Sequence, residues 1–534
     1  MSERISSKPK FSELDLQGKV DYIMSERTPS PEEVIYEPVV EFLDQEGDLT
    51  REERGKVIAL GDRTAISYRN LKQRVIEERE KGTVVVDEEE VDRTASFYLM
   101  YTLAARSSKE IAHTSILEQI NVGPDQLGGD PPIVVEGVSI LSALRDVCSL
   151  RHFGFEAFSS RGGIFPEGYW RIPQELIDAG VGQKLNLINQ DIYHIYLHLT
   201  RKSIQHYLQT TQKKEGEKSW EWQWRILNLS LDDARQVTNG TFLNHFSMHA
   251  NSALSLREAL VKLSSAELPE TRAIADRLRS LAEAGLPTLM RYTESSPYTQ
   301  GLSQKRQEIN DELWPLLEQR KPRGFPVSRL KRVSITPDAD KLFLAAFVAN
   351  GGDLSFTEAQ TVVKNLTKEK TASLMERIFA EMTLHDKPPE ELELIQIVAE
   401  HEMSLGAIYE AIRHRLTTKI LGGLTPYRDY TTPRIYQELG LENEYDLAMD
   451  LNQRGYEIVS NLGDSFRETF APYYVARGHI IPFTMRISGY DIFHYLKVRA
   501  SGSAHPDISG PAFELDDHLK SHDDLIFRHL VRKG

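Results

Sequence analysis

The fold assignment depends on the stretch AIYEAIRHRLTTKI, residues 407–420, and within it on Arg413, His414 and Arg415. Three adjacent cationic or titratable side chains are costly to bury and need anionic partners. On a helix they would point about 100° apart, so one acidic group cannot pair with all three. Taken alone, the stretch favours a solvated helix end, with Glu410 pairing Arg413 or His414 at a spacing of three or four residues.

The composition bounds the class of protein. The chain has 534 residues, of which 40% are hydrophobic and 27% charged, so it is long enough for two or three domains. A net charge of -15 argues against non-specific binding of nucleic acid, which depends on neutralising phosphates. The single cysteine, Cys148, excludes an internal disulfide framework. The first residues do not read as a signal peptide, and no apolar run approaches the roughly 20 residues of a membrane span. We therefore expect a cytoplasmic protein without nucleic-acid or membrane partners.

A second stretch, LRDVCSLRHFGFEAF at 144–158, carries another Arg-His pair at Arg151 and His152. This repetition favours a functional motif over a solvated helix end. Pairs of similar residues recur in the same order in both halves: His113 and His385, Arg151 and Arg413, Asn251 and Ser488, Lys262 and Arg499, Pro269 and Pro506. Their separations differ only by amounts that loop insertions would explain. We interpret the chain as two diverged copies of one domain, and a fused pair of this kind usually mimics a two-fold dimer.

The predicted organisation has four parts. Residues 1–80 are a polar, partly helical extension, 81–300 the first copy, 301–330 a linker and 331–534 the second copy. Apolar spacing predicts helices in several stretches: PEEVIYEPVVEFLDQ, YRNLKQRVIEERE, DIYHIYLHLTRKSIQHYLQTT and DADKLFLAAFVANGG. Short β-rich runs predict strands at TVVV (83–86), VSIT (333–336) and ELELIQIV (391–398), and IVVEGVSILSALRDVCSLRHF (133–153) has the pattern of a strand followed by a helix.

Several motifs in this order resemble the flavin-dependent thymidylate synthase family (ThyX-type), whose hallmark is RHR followed by a Ser/Arg-Tyr loop. The second half has RHRLTT at 413–418 and then a longer loop that ends at Tyr430. HDKPPEELELIQIV at 385–398 resembles the family's histidine stretch before a strand, and HTSILE at 113–118 resembles its counterpart. SGYDIFHYLKVRASGSAHPDIS, 488–509, is similar to the family's late helix.

The resemblance implies an α+β fold made of two tandem copies of a thymidylate-synthase-complementing-like domain. Each copy would have an antiparallel or mixed sheet with long helices, and the pair would be pseudo-dimeric. It also implies methylation of dUMP to dTMP, with methylenetetrahydrofolate as carbon donor, reduced FAD as hydride donor and NADPH as reductant. This chemistry needs no cysteine nucleophile, which agrees with a single cysteine. A homo-oligomer, as a dimer of fused pairs, is the expected assembly.

The resemblance assigns roles residue by residue. Arg499 is similar to the nucleotide-binding arginine implicated in activating dUMP. The implied cofactor-binding residues are His385, Arg413, His414, Arg415, His494, His113, Arg151 and Asn251. The implied substrate-binding residues are Arg428, Arg499 and Glu410. The copies are expected to complement each other, with Asn251 and Arg272 from the first and His494 and Arg499 from the second.

The motifs depart from the family pattern in both copies. Glu410 and Cys148 stand where the family has glutamine, and Phe153 and Lys262 replace two arginines in the first copy. A carboxylate at position 410 would repel a phosphate unless it pairs with Arg413. Two alternatives therefore remain open: a non-catalytic relative with a regulatory or structural role, and a flavoenzyme that acts on another pyrimidine.

Two histidine pairs have the spacing of helical zinc ligands, His194 with His198 and His245 with His249. No cysteine or His-Glu-x-x-His context accompanies either pair. We interpret them as surface or packed histidines and predict no metal site.

Overall fold

The computed structural model describes residues 11–529 except 63, 82–132, 251, 286–287, 289, 292, 314–328, 384–385, 415 and 503. Eight strands are described: β1 Val39–Phe42, β2 Ile133–Ser139, β3 Phe153–Ala157, β4 Leu243–Ala250, β5 Arg329–Ile335, β6 Gln396–Ser404, β7 Thr418–Leu421 and β8 Ile480–Ser488. The α-helices of these residues are α1 Leu16–Arg27, α2 Arg51–Gly61, α3 Tyr68–Lys81, α4 Gln174–Asp178, α5 Gly182–Thr210, α6 Ser219–Ala234, α7 Ala253–Ser264, α8 Pro269–Gly285, α9 Pro297–Leu313, α10 Ala339–Ala349, α11 Phe356–Lys364, α12 Lys368–Phe379, α13 Leu405–Ala411, α14 Arg434–Leu439, α15 Glu442–Ser460, α16 Asp464–Thr469, α17 Gly489–Arg499 and α18 Pro506–Ser521. The predicted α+β class is confirmed.

The strands form two four-stranded sheets with the same arrangement. The first has the order β1-β2-β4-β3 and the second the order β5-β6-β8-β7, and every pairing is antiparallel. The helices α7 and α8 follow β4 along the chain, as α17 and α18 follow β8. The expectation of antiparallel sheets with long helices is confirmed for the described residues, where α5 alone has 29 residues.

The chain divides into two compact units. The first comprises 1–321 and 432–476, and the second 322–431 and 477–534. The helices α14, α15 and α16 therefore belong to the first unit, although they lie between β7 and β8 of the second. The predicted domain bounds place residues 432–476 within the second copy, 331–534.

The edge strand β1 lies inside the stretch PEEVIYEPVVEFLDQ, so the helix predicted there is wrong. Val39 and Val40 are β-branched and follow Pro38, and all four residues of β1 pair with β2. Gly137 on β2 has a φ of +65°, and a Cβ there would lie 2.3 Å from the carbonyl oxygen of Glu37. Only glycine therefore allows the chain before β1 to approach β2 this closely.

In the first unit, helices α2 and α3 contribute to a core together with part of the first sheet. This cluster contains Leu43, Leu49, Val57, Ile58, Leu60, Ile66, Tyr68, Leu71, Val75 and Val134. The predicted helix YRNLKQRVIEERE is found as α3. Among the residues that the structure covers, no helix is long and apolar enough to cross a bilayer.

A buried amide network joins α15 to the rest of the first unit. Asn452 on α15 donates to the carbonyl oxygen of Val237 at 2.9 Å and accepts from Asn239 Nδ2 at 2.8 Å. Asn239 in turn accepts from the Thr241 hydroxyl and backbone N–H. Because each of these residues is at most 1% exposed, water cannot replace a lost partner.

Candidate functional site

The segment with Arg413 and His414 lies at a change of direction after β6. The Ser404 hydroxyl accepts from the N–H of Ala407, so α13 begins directly at the end of β6. The helix ends at Ala411, and β7 begins at Thr418. The prediction of a helix over Arg413 and His414 is therefore wrong. These residues form the turn that brings the chain back to pair with β8. Arg415 lies outside the described residues.

Arg499 closes the site from the carboxyl end of α17. Its Nη1 donates to Glu410 Oε2 at 2.9 Å and its Nη2 to the Glu410 carbonyl oxygen at 2.9 Å. Its Nε donates to His414 Nε2 at 3.1 Å. The side chains of Arg499 and Glu410 are only 14% and 11% exposed, so this is a partly buried ion pair. The expected partner of Glu410 was Arg413 or His414 on its own helix, whereas the structure places Arg499 against it.

His414 is uncharged in this arrangement. Its Nε2 accepts a hydrogen bond, so the ring proton is on Nδ1. Burial and then the positive charge of Arg499 hold the pKa of His414 well below its usual range. The ring of Tyr495 packs edge-on at 4.9 Å between centroids, and that of His494 lies at 5.7 Å. The neutral imidazole therefore orients Arg499 without repelling it.

The surface beside this cluster carries an exposed arginine, an exposed histidine and exposed apolar side chains. Arg413 and His494 are exposed, as are Leu416 at 50% and Ile420 at 62%. In a chain with a net charge of -15, such a surface offers hydrogen-bond donors to an anionic ligand.

Arg428 lies beside a different acid. Its Nη1 is 3.9 Å from Oε1 of Glu402 on β6, and Lys331 Nζ is 2.8 Å from Oε2 of the same carboxylate. Glu402 is 6% exposed. The structure thus brings Glu410, His414, His494 and Arg499 together and places Arg428 against Glu402.

The matching part of the first unit starts from Ser139, which ends β2 as Ser404 ends β6. The N–H of Ile140 donates to the Phe242 carbonyl, and the N–H of Leu405 to that of His479. A π-helix, Leu141–Val147, takes the place of α13. Arg151 and His152 are exposed in the turn before β3.

The registers of the two sheets relate the halves differently from the Arg151–Arg413 pairing. Phe155 pairs with Met248, and Lys419 pairs with Met485 at the corresponding point of the second sheet. By this register Arg151 corresponds to the position of Arg415. In this comparison the registers of β3 and β7, rather than the Arg-His pairs themselves, define which positions of the two halves correspond.

The counterpart of the Arg499 cluster has different residues. Counted from Ser139 and Ser404, Arg145 corresponds to Glu410 and Ser149 to His414. Lys262 Nζ lies 3.3 Å from Ser149 Oγ, which mirrors the contact of Arg499 with His414. Arg145 pairs with its neighbour Asp146 at 2.7 Å. The first unit therefore has a cation where the second has Glu410.

Four predicted site residues fall outside the described part of the chain: His113, Asn251, His385 and Arg415. Their roles stay predictions. Tyr495 was not anticipated, although it precedes Arg499 by one helical turn and so shares its face of α17. That spacing is the sequence signal that could have identified it.

The histidines of the two pairs lie in different environments. His245 is 1% exposed, its Nε2 lies 2.9 Å from the Gly61 carbonyl oxygen, and it stacks on Phe158. Burial lowers the pKa of His245 to about 4, so it is a neutral, packed histidine. His194 and His198 lie on exposed positions of α5.

No protein-family model matches the chain, and no curated protein matches it. Among solved structures, a UMP/dUMP methylase, PolB from Streptomyces cacaoi bound with 5-Br dUMP, is 11% identical. The alignment covers 39% of this chain and 95% of that chain, with a TM-score of 0.30. Thymidylate synthase X from Helicobacter pylori with FAD and dUMP is 17% identical, covering 39% of this chain and 100% of that chain with a TM-score of 0.27. Scores at this level do not establish a shared fold.

Proposed function

We propose that the chain is a flavin-dependent thymidylate synthase-like protein. It would bind FAD and a dUMP-like pyrimidine nucleotide and methylate dUMP to dTMP, with methylenetetrahydrofolate as carbon donor and NADPH as reductant. The observation that carries this proposal is the meeting of Arg499, His414 and Glu410. These residues come from two distant motifs of the family pattern and form one hydrogen-bonded cluster.

The donor set suits a phosphate-bearing cofactor and a nucleotide. Arg413 and His494 present N–H groups to solvent beside the partly buried Arg499. We assign Arg413 and His494 to FAD and Arg499 to the nucleotide. Bound reduced FAD would supply the hydride. His414 holds the Arg499 guanidinium in place through its Nε2, and the ring of Tyr495 packs edge-on against His414.

We also propose that the chain is a tandem, pseudo-dimeric pair of related domains. The support is the strand order shared by the two sheets and the matching contacts of Lys262 and Arg499. A dimer of fused pairs is the proposed assembly, and light scattering on the purified protein tests it.

A second candidate function is a flavin- or nucleotide-binding relative without catalysis. The observation that favours it is the engagement of Arg499 by Glu410, which uses donors that a ligand would need. This candidate predicts ligand binding without formation of dTMP.

The visible absorbance spectrum of the purified protein, before and after addition of FAD and then dUMP, tests the proposal. We expect a bound-flavin band that shifts when dUMP is added. Arg499→Ala should remove the shift caused by dUMP. Arg434→Ala removes an arginine that is 88% exposed, and it should leave the shift unchanged.

A colourless protein that does not bind added FAD would rule out the synthase. Growth of a thymidine-requiring host separates the two candidates. Rescue that depends on Arg499 supports the enzyme, while a flavin-binding protein that does not rescue growth supports the non-catalytic relative.

A further inference from the structure

The segment that follows α18 in the second unit folds back onto the helices that follow β5. We call residues 522–529 the strap; its part Leu525–His529 is a short 3₁₀-helix that packs against α10, α12 and α18. The carboxylate of Asp340, on α10, accepts from the backbone N–H of Leu525 at 2.7 Å and from that of Ile526 at 2.9 Å. Asp340, Leu525 and Ile526 are all buried. Because water cannot replace a buried acceptor, Asp340 anchors the strap.

The end of the strap joins a stack of aromatic rings. The ring of His529 stacks on that of Phe379, the last residue of α12, at 4.9 Å between centroids and 17° between planes. Phe379 stacks in turn on Phe493 of α17, at 6.3 Å and 15°. Burial lowers the pKa of His529, against a raising by Glu376, so the stacked imidazole is neutral at pH 7. The strap is therefore linked to α17 through Phe379.

Another face of α17 carries the Arg499 cluster. Phe493 and Tyr495 are two residues apart, so their side chains point about 200° from each other around the helix. The Tyr495 ring packs against His414, and Arg499, one turn later, donates to His414 at 3.1 Å. The helix α17 thus lies between the aromatic stack and the cluster. A displacement of α17 on the side of the stack would move Arg499 relative to His414.

We propose that the strap is a positioning element for the Arg499 site, with Asp340 as its anchor and His529 and Phe379 as the side chains that hold α17. The inference deepens the proposed function, on which it depends for the nucleotide that Arg499 binds. These three residues act through α17 rather than by contact with a ligand. When the strap is released, Phe379 loses the ring stacked on it, and α17 holds Arg499 less precisely against His414.

Hydrogen–deuterium exchange, measured by mass spectrometry, tests the coupling without any ligand. Asp340→Ala removes both acceptors of the strap, so we expect the amides of 522–529 to exchange roughly five- to tenfold faster. The amides of 489–499, in α17, should exchange at least about twofold faster in the same variant. Asp353→Ala removes an exposed carboxylate in the loop after α10 and should change neither segment. Faster exchange confined to 522–529 would contradict the proposal.

Titration of the flavin band with dUMP tests the effect on the site. His529→Ala removes the outer ring of the stack, and we expect dUMP to bind roughly three- to tenfold more weakly, in line with the energy of one aromatic pair. His529→Phe keeps a ring at this position and should restore the affinity to within about twofold of the wild type. His518→Ala, at an exposed position of α18, is the matched control and should leave dUMP binding unchanged.

The thermal unfolding midpoint separates positioning from general stability. A loss of dUMP affinity in His529→Ala at an unchanged midpoint is the result expected of a positioning role. Because His529 is only half-buried, His529→Ala replaces Asp340→Ala in the exchange measurement if the latter does not fold.

Equal dUMP affinity of the wild type and His529→Ala would overturn the proposal, as would an equal loss in His529→Ala and His529→Phe. A protein that binds neither FAD nor dUMP would contradict the proposed function. Faster exchange of 489–499 on loss of Asp340 would, in that case, still support the hold of the strap on α17.

Discussion

Two buried glutamates have different neighbours. Glu402 lies beside Lys331 and Arg428. Glu136 in the first sheet is 1% exposed; its Oε1 accepts from the N–H of Tyr68, and no described atom hydrogen-bonds to its Oε2. Burial, with a smaller contribution from Glu41, raises the pKa of Glu136 to about 8, against a lowering by Arg69. Glu136 is therefore protonated at neutral pH.

This pKa makes stability depend on pH. The unfolded chain loses the Glu136 proton near pH 4.5, while the folded chain keeps it until about pH 8. The favourable contribution is thus full below pH 4.5 and is lost as the pH rises to 8. Glu136→Gln mimics the protonated form at every pH. Relative to this variant, the wild type should lose on the order of 3 kcal/mol of unfolding free energy between pH 5 and pH 8.

Urea unfolding at pH 5, 6.5 and 8 measures this difference. Glu283→Gln replaces an exposed glutamate of α8 and should follow the wild-type pH dependence. Parallel curves for the wild type and Glu136→Gln would mean that Glu136 is ionised in the folded protein.

The sequence indicated which residues form the cluster of Glu410, His414, His494 and Arg499, but it did not indicate which of them are in contact. Glu410 was expected to pair along its own helix, but α13 ends at Ala411, before Arg413. Its partner Arg499 is distant in sequence, and helical spacing carries no information about such a contact. The order of the motifs identified both residues. Only the structure shows that the fold brings them into contact.

At the level of elements, the amide network of Asn452 ties α15 to the first unit. Asn452→Ala would leave the Val237 carbonyl and an Asn239 N–H buried without their partners. Each such loss costs about 1–3 kcal/mol. We expect the unfolding free energy to fall by about 2–4 kcal/mol, as measured by urea unfolding monitored by circular dichroism.

Asn443→Ala, at an exposed position of the same helix, controls for helix propensity and should change stability little. Equal effects of the two substitutions would show that the network contributes nothing beyond propensity.

Periodicity predicted the long elements and failed on the short ones. The helices α3, α5 and α10 were predicted because their apolar residues repeat over several turns. The strand predicted over ELELIQIV begins at Gln396, after a short turn of 3₁₀-helix. The four residues of β1 were missed because pairing with β2, a distant segment, outweighs local propensity.

For the whole molecule, the chief difference from expectation is that residues 432–476 belong to the first compact unit. Composition and motif order give no sign that these residues group with 1–321, because the grouping depends on packing between distant helices. The α+β class and the antiparallel sheets followed from patterning and family resemblance, whereas the partition into units did not.

This partition predicts how truncated chains behave. A chain ending at residue 321 lacks α15 and leaves Asn239 without its buried partner on that helix. We expect it to be poorly soluble, with a broad thermal transition. Joining 432–476 to its end through a flexible linker should restore a cooperative transition by circular dichroism. A cooperative transition without that segment would show that the first unit is complete before it.

The late position of α15 also has a consequence during synthesis. The first unit's last contributing segment ends at Ala476, roughly 150 residues after the end of its first segment. At translation rates of about 5–20 residues per second, that delay lasts on the order of ten to thirty seconds. Throughout this time the nascent first unit exposes the surface that α15 later covers. We therefore expect the first unit to complete its folding only after residue 476 has been synthesised.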